Sequence, residues 1–358
     1  MTDLRWMDRA LFHAARGAGR TSPNPLVGAV IVTADGVLAG QGYHERAGEA
    51  HAEVRAIENA GSRTRGATMY CTLEPCAHHG RTGPCAARIV EAGIARVVVS
   101  VEDPNPLVSG RGFAYLRAHG VAVDVGIGAD RATALNQPFF MLMREGRPFV
   151  MLKAAVSADG FIAESRDRRT LLTSEPANRH AHRARAQVDA IAVGVGTILA
   201  DDPSLTARDA YREQPLTRVV FDRRLRTPPS ARVLSTLDAG PVIIVTDGSE
   251  APGEARRALQ ARGAEIVTTP EGTFRAALAV LGGRHIGSLL VEGGATLHAA
   301  AWREAAVDFV RLYMTPHVLG GGVALLPDCH FSKAALIGGT VETLGPDTMV
   351  EGYVHGPR

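Results

Sequence analysis

Three soft donor side chains, His51, Cys76 and Cys85, constrain this chain more than any other feature of its sequence. One imidazole and two thiolates suit zinc, and three protein ligands leave a fourth position open for water. A chain that uses them must fold so that the segment at His51 meets two Pro-Cys units, Pro75-Cys76 and Pro84-Cys85. Glu53 follows His51 by two residues, a spacing at which both cannot easily ligate one ion on a helix. It is placed instead to reach the water and carry its proton, and a bound zinc lowers the pKa of such a water towards neutrality. Each residue alone reads as an ordinary core or helix side chain; the set in this order does not.

H-x-E followed by Pro-Cys is the pattern of zinc deaminases, which hydrolyse an exocyclic amine from a nucleobase-like ring. The usual C-x-x-C is stretched here, because Cys85 comes nine residues after Cys76 and AHHGRTGP lies between them. Pro75-Cys76 is predicted to start a loop and Pro84-Cys85 a helix, whose dipole would favour the thiolate. Cys71 and Cys329 match nothing and are expected to be inert.

A length of 358 residues predicts two domains. Apolar residues at 46% and charged residues at 21% have the balance of a soluble globular protein. Net charge is only +2, without a basic block, which argues against nucleic acid as partner and for a small substrate. The charged N-terminus lacks a secretory h-region, and no apolar run approaches the ~18 residues of a membrane span. Four cysteines are too few for a disulfide framework, so a cytoplasmic protein with no membrane partner is expected.

Periodicity predicts an amphipathic helix from Trp6 to Arg16, then a buried strand over Val27 to Val32 and a hairpin closing at Gly40 to Gly42. A helix over Ala50 to Asn59 with its C-cap at Gly61 follows, then a strand over Met69 to Leu73. The last turns of a helix over Arg88 to Ala92 and a strand over Val97 to Val101 come next. This alternation predicts an α/β layer with helices between parallel strands. QPFFMLMREGRP, within Asn136 to Arg147, interrupts the pattern and marks the boundary, giving domains 1–146 and 147–358. Beyond it, Phe149 to Leu152, DAIAVG, TRVVFD, PVIIVTD, SLLVEGG and VDFVRLYM read as further strands. VGVGTILADDP lacks the third glycine of a dinucleotide fingerprint and alone reads as a turn, whereas LLVEGGATLHAA offers a helix start able to take a phosphate.

PNPLVGAVIV, GYHERAGEAHAE, YCTLEPCAHHGRTGPC and VEDPNPLVSGRG resemble the deaminase half of the bifunctional riboflavin-biosynthesis deaminase/reductase family. The wide cysteine spacing is typical of that family and not of cytidine or tRNA-adenosine deaminases. The resemblance implies a cytidine-deaminase-like α/β/α layer domain with one zinc, and substrate contacts from Asn24, His44 and the loop with His78, His79 and Arg81. RPFVMLKAAVSADG, HRARAQVDAIAVGVGTILADDPSLTAR and LLVEGGATLHAAAW resemble the reductase half, which implies a dihydrofolate-reductase-like α/β domain using NADPH.

By that resemblance Val156, Leu171, Thr197 and Asp201 contact the cofactor, and Gly294, Ala295 and Thr296 hold its phosphates. Arg185, Leu205, Arg208 and Glu292 line the substrate site, with Lys153 beside the sugar or ring and the two arginines converging on a sugar phosphate. Family members carry Ser-x-Trp-Ile-Thr where this chain reads Arg169-Thr170-Leu171-Leu172-Thr173, which makes Arg169 a candidate phosphate contact. The implied substrate is a phosphorylated aminopyrimidine, and the implied assembly a homo-oligomer, dimer or tetramer. The same departure leaves a second reading, a deaminase whose C-terminal domain has lost reduction and serves oligomerisation or regulation.

Overall fold

Alternating apolar residues decide the layering of the first unit. In the computed structural model, described for residues 2–77, 83–208, 210–248, 252–327 and 331–357, one compact unit reaches to Glu145 and a second runs from Gly146 to Gly356. The first contains α1 (Asp3–Ala15), β1 (Gly28–Val32), β2 (Leu38–Tyr43), α2 (Ala52–Ala60), β3 (Thr68–Cys71), α3 (Cys85–Glu91), β4 (Arg96–Val99), α4 (Arg111–Ala118), β5 (Ala122–Val125), α5 (Ala129–Leu135) and α6 (Gln137–Glu145). Val30, Val32, Tyr70 and Val98 point to one sheet face and pack on Met7, Ala10 and Leu11 of α1. Ala29, Ile31, Met69, Val97 and Val99 point to the other, against Ala52 and Ala56 of α2, Ile89 of α3 and Leu116 of α4. The result is an α/β/α sandwich.

Three local expectations are corrected. The sheet runs β2-β1-β3-β4-β5, and only β3, β4 and β5 are parallel; β1 is antiparallel to both β2 and β3. Gly40 and Gly42 lie inside β2 rather than at the hairpin turn, which falls at Gly36 (φ 82°). They are glycines because α2 presses on the strand: a Cβ at Gly40 would stand 2.4 Å from Ala56 O, and one at Gly42 2.8 Å from Ala52 O. QPFFMLMRE does not interrupt the pattern: it is helix α6, and its Phe139 and Phe140 pack with Leu73, so the segment belongs to the first unit's core.

The second unit holds β6 (Phe149–Val156), β7 (Phe161–Ala163), α7 (Glu175–Gln187), β8 (Ala190–Gly194), α8 (Val195–Asp201), β9 (Thr217–Phe221), β10 (Val242–Thr246), α9 (Gly253–Ala261), β11 (Glu265–Thr268), α10 (Phe274–Gly282), β12 (Ser288–Gly293), α11 (Ala295–Arg303), β13 (Phe309–Met314), β14 (Val323–Ala324), β15 (Ile337–Leu344) and β16 (Asp347–Tyr353). Nine strands form one sheet in the order β11-β10-β9-β8-β12-β6-β13-β16-β15. The seven from β11 to β13 are parallel and near-continuously apolar, as strands covered on both faces must be. The antiparallel pair β15–β16 closes one edge. Strand order reverses beside β8, and the clefts of such sheets open at the carboxyl ends of their strands. Among the described residues no helix is long and apolar enough to cross a membrane.

Candidate active sites

Two helix starts and one strand exit build the metal centre. His51 is the extended N-cap residue of α2 (φ −69°, ψ 161°), which places Glu53 in that helix's first turn. Pro84 caps α3, so Cys85 is its first residue, while Cys76 follows the exit from β3. His51 Nδ1 stands 3.2 Å from Cys85 Sγ and 3.7 Å from Cys76 Sγ, and the three ligand atoms all lie within 4.8 Å of one another. A tetrahedral zinc with ordinary bond lengths would hold N and S about 3.6 Å apart and two S about 3.8 Å apart. The donor set therefore fits zinc in both chemistry and spacing. Among the described residues no fourth His, Cys or carboxylate joins the cluster.

The same proximity sets the protonation. Hydrogen bonding from Cys85, then from His51, pulls the Cys76 thiol down to about 4 against the cost of burial. The bond to Cys76 raises the His51 imidazole to about 9. Metal binding must displace such protons, so affinity should fall with acid. Glu53 is 3% exposed, and burial pushes its carboxyl up while His51 pulls it down. Cys85→Ser should weaken zinc binding by at least roughly 100-fold, the upper range for losing a mere supporting residue. Metal content after dialysis against a chelator checks this, and wild-type retention would contradict the ligand assignment.

Asn24 and His44 are brought beside this cluster. Asn24 Nδ2 donates to His44 Nε2 (3.2 Å), which leaves the His44 Nδ1 proton for Ala50 O (3.3 Å), and the His44 and His51 ring centroids are 5.5 Å apart. Burial lowers the His44 pKa, so the ring is neutral near pH 7. His78, His79, Arg81 and Cys329 lie outside the described residues; Cys71 is buried in β3. One supporting residue escaped the sequence reading: buried Glu74 accepts backbone N–H groups from Asp103, Gly110, Gly112 and Phe113 at 2.9–3.4 Å. It ties that loop beneath the Cys76 segment. No local pattern betrays it, because its partners are main-chain groups far along the chain.

In the second unit, Arg169, Arg185, Thr197, Asp201, Leu205, Arg208 and Glu292 line one cleft of about 160 Å³, together with Val193, Pro203, Ser204 and Arg232. Glu292, next to last in β12, is gripped by Arg185, Nε to Oε1 at 2.7 Å and Nη2 to Oε2 at 2.5 Å. Burial alone would raise this carboxyl; Arg185 and then Lys153 outweigh it and hold it at about 2. Lys153 Nζ sits 3.9 Å from Glu292 Oε2, where burial lowers its pKa. The two arginines expected on a phosphate thus differ. Arg185 is already paired, whereas Arg208 among the described residues meets His182: its backbone N–H donates to Nδ1 (3.1 Å), and its guanidinium lies 3.2 Å from Nε2. Among the described residues no carboxylate pairs with Arg208, so its charge is left uncompensated there.

VGVGTIL is a strand end followed by helix α8, not a bare turn, and Thr197 on it faces the start of α11. A Cβ at Gly293 would lie 2.8 Å from Thr197 Oγ1, and Gly294 caps α11 at φ 87°, so both glycines are needed for this close approach. Ala295 and Thr296 form the first turn of that helix. Val156 belongs to the apolar core and Leu171 is 77% exposed; neither lines the cleft.

A buried carboxylate beside an open His/Cys/Cys set on an α/β/α sandwich defines a zinc deaminase; an arginine-lined cleft on a mostly parallel sheet adds a second, separate catalytic unit. Residues 1–101 match the cytidine and deoxycytidylate deaminase zinc-binding region, and residues 148–350 match the RibD C-terminal domain. The riboflavin biosynthesis protein RibD of Escherichia coli is 41% identical over 341 residues, 91% of this chain and 92% of that one. The structure of Acinetobacter baumannii RibD superposes with a TM-score of 0.87 at 36% identity, covering 98% of each chain. A Thermotoga maritima structure described as a diaminohydroxyphosphoribosylaminopyrimidine deaminase/5-amino-6-(5-phosphoribosylamino)uracil reductase gives 0.84 at 33% identity, covering 98% of this chain and 97% of that one. The chain belongs to the RibD family.

Proposed function

We infer that this chain carries out two consecutive steps of riboflavin biosynthesis, a hydrolytic deamination in the first unit and an NADPH-dependent reduction in the second. The observation that carries the reading is Glu53, buried beside three convergent zinc ligands. The substrate is 2,5-diamino-6-ribosylamino-4(3H)-pyrimidinone 5′-phosphate, which loses its 2-amino group; the ribosyl group of the product is then reduced to ribityl. Full-length relatives and an assembled cleft favour two activities over a C-terminal unit without catalysis.

In deamination His51, Cys76 and Cys85 would hold zinc, which supplies acidity to a water. Glu53 takes a proton from that water as its oxygen bonds to ring C2, then returns it to the departing nitrogen, and ammonia leaves. A carboxyl whose pKa burial has raised suits both halves of this exchange. Asn24 and neutral His44 are placed to read the ring edge. In reduction the second unit would hold NADPH, whose chemistry is hydride donation, here to C1′ of an opened, imine-like sugar while the imine nitrogen takes up a proton. Thr197 and the start of α11 would hold cofactor phosphates, Asp201 and Arg169 border the cleft, and Leu205 with Arg208 receives the sugar phosphate. Lys153, held by Glu292, would donate a hydrogen bond to the sugar.

Two supporting elements of the reading concern assembly and location. Ile337 and Val341 of edge strand β15 are 50% and 71% exposed, which supports a homo-oligomer, measurable by sedimentation. A cytoplasmic location suits ligand thiols that must stay reduced. The decisive experiment follows ammonia and absorbance at 340 nm with the phosphorylated diaminopyrimidine, with and without NADPH. Ammonia release independent of NADPH, followed by cofactor oxidation, is expected; deamination without any oxidation would return the inert-domain reading. Arg208→Ala should raise KM in reduction roughly 10- to 100-fold, the worth of one charged hydrogen bond or two, and spare ammonia release. Equal loss of both activities would mean that Arg208 is misplaced.

A further inference from the structure

The cleft of the second unit contains one guanidinium, that of Arg232, for which the chemistry above has no use. Its backbone N–H is fixed by Asp202 Oδ1 at 2.7 Å, where α8 ends in a left-handed residue (Asp202, φ 40°). The turn that follows is tied to the same wall by fully buried Arg218, which donates to Ser204 O (3.4 Å) and to Thr236 Oγ1 (2.9 Å). Residues 232–236 are thereby packed on the segment 202–205 that leads to Arg208. Thr197 lies instead against Gly293 and Gly294, at the start of α11.

Charge counting points the same way. Four arginines line the cleft, Arg169, Arg185, Arg208 and Arg232, against two carboxylates, Asp201 and Glu292, which leaves an excess of two positive charges. Glu292 is taken by Arg185, and Asp201 faces Arg169. Arg208 meets the imidazole of His182, and among the described residues no carboxylate pairs with Arg208 or with the exposed Arg232 side chain. A phosphate monoester carries about −1.5 to −2 at pH 7. It is the group that two uncompensated guanidinium forks on one wall would take.

We propose that Arg232 is a specificity-determining residue of the reduction, gripping with Arg208 the phosphate monoester of the sugar-phosphate substrate. The proposal rests on the assignment of the second unit as the reductase of a ribosyl phosphate. Calorimetric titration of the full-length chain tests it, with ribose 5-phosphate, ribose and 2′,5′-ADP (which carries the extra phosphate of NADPH) as probes. Wild type should bind ribose 5-phosphate well above ribose. Arg232→Met should weaken ribose 5-phosphate roughly 10-fold or more, leave 2′,5′-ADP within about twofold, and raise KM in reduction by the same factor; Arg232→Lys should recover part of the loss. Because the side chain is exposed, an unchanged melting temperature separates this effect from misfolding.

If Arg232→Met binds ribose 5-phosphate like wild type while Arg208→Ala does not, the proposal fails and the reductase assignment stands. Should the loss fall on 2′,5′-ADP alone, Arg232 serves the cofactor and the proposal fails as well. Failure of wild type itself to prefer ribose 5-phosphate over ribose would overturn the assignment of the cleft together with it.

Discussion

Glu53→Gln is expected to stop ammonia release while zinc stays at the wild-type level. The two side chains are nearly isosteric, and Glu53 is not among the atoms that converge as ligands, so the cluster of His51, Cys76 and Cys85 should survive. What disappears is a base able to take a proton and give it back. Positioned acid–base groups contribute about 10²- to 10⁴-fold, and here one group serves both transfers, so a loss near the upper end is expected. Stability should not suffer, because a neutral amide is easier to bury than a carboxylate that burial already disfavours. Metal content, ammonia release and reduction of separately prepared deaminated intermediate form the three readouts. Turnover within about tenfold of wild type, with zinc present, would remove Glu53 from the mechanism.

Glu292→Ala should abolish reduction, destabilise the second unit and leave deamination intact. The carboxylate is only 6% exposed and neutralises two cations at once, Arg185 through paired hydrogen bonds and Lys153 at 3.9 Å. Its removal strands two like charges in a buried site. Breaking a buried pair this way costs about 3–5 kcal/mol, or roughly 6–20 °C in Tm for a unit of this size. The pH dependence follows from the lowered carboxyl. Since the folded value is about 2 and the ordinary one 4.5, the stabilisation is fully present above the ordinary value and is lost as pH falls towards 2. Melting curves should therefore separate wild type and variant widely at pH 7 and progressively less below pH 4.5. A variant that melts like wild type at pH 7 would contradict the energetic role of the pair.

Some of this was legible residue by residue. His51, Glu53 and the two Pro-Cys units could be read because their chemistry is unusual and their positions are set by helix starts, which are local events. The strands β6, β8, β9, β10 and β12 were visible as short apolar runs bounded by turns. Gly40 and Gly42 resemble turn residues because a glycine demanded by a turn and one demanded by a helix pressing on a strand look alike in sequence. The hairpin β15–β16 has no such signature, since an edge pair with an exposed strand carries little apolar signal.

The identity of the reacting groups was written in the chain itself: which atoms can hold zinc, which carboxyl can move a proton, which segments can cradle phosphate. Only the tertiary structure decided which charges cancel and which remain. Arg185 finds Glu292 across 107 positions, and Asp202 fixes the backbone of Arg232 across 30, through strands that cross over within one sheet. A charge becomes available to a ligand by what the fold fails to place beside it, and that is a property of spatial neighbours, on which sequence spacing is silent.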